Sequence, residues 1–132
     1  MLSVADREEI ESLVRSADEA ATRRDDAGYA ALYTEDGVME GSKGNAEGRA
    51  AIRAAVKAVW AREPAGSEHL TGDVSIGEEE GEVVAHSTLV VTQGVSTPFA
   101  EASVTQTVRY TDKGWRIARR LIKEAAEGAS GA

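Results

Sequence analysis

The chain has 132 residues, 42% hydrophobic and 29% charged, which is the size and composition of one ordinary domain and not of a disordered segment. Its 23 acidic against 15 basic side chains leave a net charge of −8, which argues against a nucleic-acid partner, because phosphate neutralisation needs Lys and Arg. There is no cysteine, hence no disulfide framework and no thiolate metal site, and no apolar run approaches the ~18 residues of a membrane span. The N-terminus carries Asp6, Glu8 and Glu9 where a signal peptide would be basic and then apolar, so the cytoplasm is the expected location.

Ser3 followed by Asp6 reads as a helix cap, and Ile10, Leu13, Val14, Ala17 and Ala21 form an apolar stripe at helical spacing. That first helix ends near Arg23 and Arg24, whose charge suits a helix C-terminus. Asp25 and Asp26 open a short second helix through Tyr29, Leu32 and Tyr33, stopped by Glu35-Asp36-Gly37. Val38-Met39-Glu40 is a short strand, and residues 41–48, rich in glycine, are a loop. A third helix carries Ile52, Ala55, Val56, Val59 and Trp60, and Pro64 and Gly66 end it.

Beyond Pro64 the period changes from helical to alternating. Leu70, Val74 and Ile76 alternate with His69, Thr71 and Ser75, which predicts a strand from Glu68. Residues 77–81 are a turn, 82–92 a strand, 94–98 a turn, and 99–111 another strand. Asp112-Lys113-Gly114 is a tight connection into the last strand, Trp115 to Lys123. Residues 1–123 are expected to form a single domain, with 124–132 a frayed tail. The strand over 82–92 is apolar on both faces, with Val83, Ala85, Leu89 and Val91 on one and Val84 and Val90 on the other. A second covered face points to a homodimer through the outer side of the sheet.

Three segments carry a resemblance: Asp25-Asp26-Ala27-Gly28-Tyr29 through Leu32-Tyr33-Thr34-Glu35-Asp36-Gly37, Glu47-Gly48-Arg49-Ala50-Ala51-Ile52, and Gly114-Trp115-Arg116-Ile117-Ala118-Arg119. In that order and with those gaps the chain resembles the SnoaL-like branch of the nuclear transport factor 2-like superfamily, over roughly residues 6 to 123. The resemblance implies an α+β fold in the order α-α-β-α-β-β-β-β. Three N-terminal helices would pack on a curved antiparallel sheet, a cone with an internal cavity. Tyr33, Met39, Val56, Trp60, Leu89 and Val104 are the residues expected to line it. Relatives of this fold include ketosteroid isomerase, scytalone dehydratase, polyketide cyclases and epoxide hydrolases, besides non-catalytic binding and dimerisation modules.

These chemistries can be laid over the chain residue by residue. The ketosteroid isomerase pattern falls on Ala17, Gly41 and Gln106, so its tyrosine and its base are missing and that reaction is not expected. A histidine pair would have to come from His69 and His86, both read as lying on the polar or outer phase of their strands. Glu40 and Glu68 lie in the regions where the epoxide hydrolases carry cavity carboxylates, and Glu68 shares a phase with Leu70 and Val74 that points it inward. The plain alternative makes both of them surface glutamates at strand ends. Arg119 shares a face with Trp115, Ile117 and Leu121, and a buried arginine there requires a carboxylate or an anionic ligand. Gln106, in phase with Val104 and Val108, is either a satisfied structural amide or a group that polarises a carbonyl.

The expected function is binding of a small, apolar, oxygenated metabolite, without metal or other cofactor. Any turnover would be acid–base chemistry of a cyclase, isomerase or epoxide hydrolase type. Glu68 is the candidate acid–base group, with Arg119 and Gln106 as oxyanion or orienting groups. The alternative is a non-catalytic module with the same fold, its cone plugged by side chains such as Trp60, Tyr33 and Met39.

Overall fold

A computed structural model describes residues 2–42, 44–93 and 97–125. Helix α1 (Val4–Arg23) starts at a reciprocal cap, in which Asp6 N–H donates to Ser3 Oγ and Ser3 N–H donates to the Asp6 carboxylate, each at 3.0 Å. It ends at Arg24, a non-glycine residue in the left-handed region with φ of 59°. Helix α2 (Asp26–Ala31) follows, its N-cap Asp25 accepting from Gly28 N–H at 2.9 Å. Strands β1 (Tyr33–Gly41) and β2 (Gly44–Glu47) form a hairpin, and helix α3 (Arg49–Trp60) leads into β3 (Ser67–Glu79), β4 (Glu82–Gln93), β5 (Thr97–Thr111) and β6 (Gly114–Glu124).

The fold is α+β, helices against one face of a curved six-stranded sheet ordered β2-β1-β6-β5-β4-β3. From β3 to β6 the strands pair consecutively and antiparallel. Three details differ from the sequence expectation. The second helix stops at Ala31 and Tyr33 already belongs to β1, because strand β6 claims this stretch: Ile117 N–H donates to Leu32 C=O at 2.8 Å. The glycine-rich stretch read as a loop contains β2, which pairs Ala46 with Met39. The sheet is mixed and not wholly antiparallel, since β1 runs parallel to β6. Of the expected turn at 94–98, residues 94–96 lie outside the described residues, as do 126–132 of the expected tail.

Two bulges set which side chains reach the interior. In β3 one extra residue lies between the pairs Gly72↔Thr88 and Ser75↔His86, beside Asp73 at φ of 31°. In β6 the pairs Thr107↔Arg119 and Val108↔Ile117 leave Ala118 unopposed. Since side chains alternate with a period of two, each extra residue moves everything beyond it to the opposite face.

The core lies between the helices and the inner face of the sheet, around Ile10, Val14, Ile52, Tyr33 and Ile117, all fully buried. Gly37 belongs to this packing. A Cβ there would come within 2.9 Å of both Cβ and the ring of Tyr33. Gly37→Ala is therefore expected to destabilise the fold by roughly 1–3 kcal/mol, the usual cost of overpacking. Chemical denaturation checks this, and an unchanged midpoint would contradict the packing described.

Candidate functional site

Helix α1 turns its apolar stripe to the sheet, and one carboxylate lies on that stripe. Asp18 stands four residues after Val14 and is 2% exposed. Its Oδ1 accepts from Arg120 Nη2 at 2.7 Å, and its Oδ2 accepts from Thr71 Oγ1 on β3. Arg120, on β6, is 1% exposed, and its Nη1 donates to the Tyr29 hydroxyl at 3.2 Å. The Tyr29 hydroxyl lies 3.0 Å from that of Tyr33 and 3.6 Å from Met39 Sδ. The Tyr29 ring packs edge-on against Trp60, with centroids 5.4 Å apart. An ion pair taken this far out of water is sustained only by such hydrogen-bonding partners.

Electrostatics keep Arg120 and Tyr33 in defined states. Burial alone would weaken the hold of Arg120 on its proton, but the oxygens of Tyr29, Asp18 and Tyr33 outweigh it, and the guanidinium is held above its ordinary range. Burial, and then the neighbouring Tyr29, push the Tyr33 phenol well above its ordinary value of 10.0, so it stays protonated. Arg120 Nε has no hydrogen-bond partner among the described residues.

Asp18, Tyr29, Met39, Trp60 and Arg120 border a cavity of about 170 Å³. Met39, Val56, Val59, Leu89 and Ile122 supply apolar wall, and Asp18, Tyr29 and Arg120 supply polar lining. A second polar group on the wall is His69, whose Nε2 lies 2.9 and 3.1 Å from the two carboxylate oxygens of Glu63. Glu63 in turn meets Arg24 Nη2 at 3.0 Å. Among the described residues, no three His, Cys, Asp or Glu side chains gather as a metal set. A fixed cation and a phenol beside an apolar space can hold a carbonyl oxygen or a developing oxyanion.

The residues singled out from sequence separate into three groups. Met39, Val56, Trp60 and Leu89 stand on the cavity wall, whereas Tyr33 and Val104 are buried without lining it. Gln106 is fully buried but donates through Nε2 to Ala85 C=O at 2.9 Å and lies off the cavity lining. Glu68 and Arg119 face outward and are corrected here. Before its bulge β3 turns Ser67, His69 and Thr71 to the helices, so Glu68 is exposed, as is Leu70 at 48%. His69, read as outward, is the residue that faces in. Ala118 shifts the phase of β6, so Arg119 points outward to pair with Glu40 at the sheet surface while Arg120 takes the interior position. Asp18 and Glu63 were not singled out from sequence. For Asp18 a signal existed, a lone acid on an apolar stripe; for Glu63, in the turn after α3, there was none.

A mixed sheet wrapped on three helices over such a cavity defines the cystatin-like class of fold. The chain belongs to the SnoaL-like domain family, whose match spans residues 3–121. A protein of unknown function with a cystatin-like fold from Nostoc punctiforme has the same architecture at 24% identity, covering 96% of each chain with a TM-score of 0.87. An NTF2-like protein with a cystatin-like fold from Novosphingobium aromaticivorans is 28% identical, over 97% of this chain and 88% of that one, with a TM-score of 0.79. ActVI-ORFA from Streptomyces coelicolor is 22% identical, over 89% of this chain and 96% of its own, with a TM-score of 0.78. Among curated proteins nothing matches the sequence. No helix among the described residues is long and apolar enough to cross a membrane.

The ion pair generates a prediction. Asp18→Ala leaves a buried guanidinium without its counter-charge and should cost about 3–5 kcal/mol. The double variant Asp18→Leu with Arg120→Met, apolar on both sides, should be more stable than Asp18→Ala. Denaturation midpoints decide it, and single and double variants of equal stability would contradict the pairing.

Proposed function

We propose that this chain binds a small, apolar, oxygenated molecule in its cavity, and that any turnover there is cofactor-independent acid–base chemistry of the cyclase, isomerase or epoxide-opening type. The observation that carries this reading is Arg120: a buried guanidinium bordering an apolar cavity, with Tyr29 beside it and Nε without a protein partner. Such a group recognises an oxygen on an otherwise oily ligand. Glu68 has no part in it, being exposed, and Arg119 is occupied by Glu40 outside. A module with a plugged cone is the other reading, and the open space beside Trp60 and Met39 favours binding over plugging. The polyketide cyclase-like character suggested by the family stays within this proposal.

A bicyclic ketone such as 2-tetralone has an apolar body and one carbonyl oxygen, and it serves as a probe. Titration followed by amide NMR should move resonances of the cavity wall. Ala55→Trp, which fills the cavity from α3, should weaken binding at least tenfold. Absence of binding, or binding indifferent to Ala55→Trp, would overturn the reading.

The outer sheet face is proposed as the contact of a homodimer. Val84 is buried on that face, Leu70 leaves apolar surface beside Val90, and Leu121 adds an exposed apolar side chain opposite Thr105. Light scattering should give about twice the 13.9 kDa chain mass. A monomer at micromolar concentration would contradict it.

A further inference from the structure

His69 has an environment that its strand does not require. It lies on the inner face of β3, two residues and about 7 Å along the strand from Thr71, whose hydroxyl holds the Asp18 carboxylate that anchors Arg120. Thr22 on α1 fixes that backbone, its Oγ1 accepting from His69 N–H at 2.8 Å. On the ring, Nε2 meets both oxygens of Glu63, at 2.9 and 3.1 Å, while Nδ1 has no hydrogen-bond partner among the described residues. The side chain borders the same cavity as Arg120.

Glu63 is itself held. It follows the last turn of α3, where its N–H donates to Trp60 C=O at 3.1 Å, and its Oε1 receives Arg24 Nη2 at 3.0 Å. Arg24 occupies the left-handed cap of α1, at φ of 59°, a conformation that favours glycine. A glycine would make the turn with less strain. The arginine makes the turn and also delivers a guanidinium to Glu63, with Nη1 donating to Ala21 C=O at 2.6 Å.

We infer that Arg24 and Glu63 are positioning residues that hold neutral His69 as its Nε2–H tautomer, and that Nδ1 is the proton acceptor of the cavity for a carbonyl ligand. This rests on the cavity-binding reading above and adds the base to it. A carboxylate on one ring nitrogen fixes the lone pair on the other. The step balances without a co-reactant. A C–H bond next to the ligand carbonyl breaks, its proton passes to Nδ1, and its electron pair forms the carbon–carbon double bond while the carbonyl π pair moves to oxygen, facing Arg120. The same proton then returns from Nδ1 to carbon, so ligand and imidazole end with the protons they began with. The charged groups around the imidazole are Glu63 and Arg24 from the helix ends, and Asp18 and Arg120 across the cavity, whose lining also includes Glu40, Glu101 and Glu124.

The test is the ¹⁵N imidazole spectrum of the whole chain at neutral pH, with His86→Gln to assign its two histidines. The expected result is the Nε2–H tautomer for His69, a shift of its Nδ1 signal on adding 2-tetralone, and a mixed tautomer in Glu63→Gln. Arg24→Gly should fold at least as well as the parent chain, because it relieves the left-handed strain, yet it too should mix the tautomers. An Nδ1–H tautomer in the parent chain overturns the inference even if no variant folds. So does a ketone that binds the cavity and leaves Nδ1 unmoved. Failure of the ketone to bind at all, with the Nε2–H tautomer intact, instead removes the cavity reading and the proton acceptor with it.

Discussion

The buried ion pair between Asp18 and Arg120 is the constraint on which the rest of the interior depends. It joins the first helix to the last strand, 102 residues apart in sequence. Neither charge could remain in the interior alone, because the desolvation of an unpaired ion exceeds what a small core supplies. Thr71 therefore completes the carboxylate, and Tyr29 partners the guanidinium. These partners come from β3 and α2, so one network reports the correct docking of four elements at once. It also gives a mostly apolar cavity one of its polar regions.

Delivery of Arg120 to that network depends on a single extra residue. Were Ala118 part of the regular alternation rather than a bulge, the phase set by Trp115 and Ile117 would bring position 119 inward and expose position 120. Both positions are arginine, so composition does not distinguish them. The same device operates in β3, where the bulge after Gly72 lets His69 and Thr71 face the helices before it, and Val74 and Ile76 after it. Bulges of this kind re-aim side chains beside pockets in many sheets.

This explains which parts of the molecule were legible in the sequence. Helices α1 and α3 were readable because Ile10 to Ala21 and Ile52 to Trp60 repeat at helical spacing, the first behind a clear cap and the second before the stop at Pro64 and Gly66. The four long strands were readable from the change of period after Pro64. Strand β1 was shortened because Tyr33 fits the apolar spacing of α2 equally well, and only pairing with Ile117 decides the matter. The pocket walls Met39, Val56, Trp60 and Leu89 followed from fold resemblance and phase. Glu68 and Arg119 failed for one physical reason: a bulge is a register event between two strands, and nothing in either strand's own alternation announces it. Asp18 was legible in principle, since an acid on a helix stripe of Val14, Ala17 and Ala21 must find a cation.

The most direct test of the central claim is guanidinium NMR of the folded chain. The account predicts an arginine whose Nη protons are resolved and exchange slowly with water, lost in Arg120→Lys and retained in Arg119→Lys. A protected signal that disappears with Arg119→Lys, or no protected guanidinium in the parent chain, would contradict it.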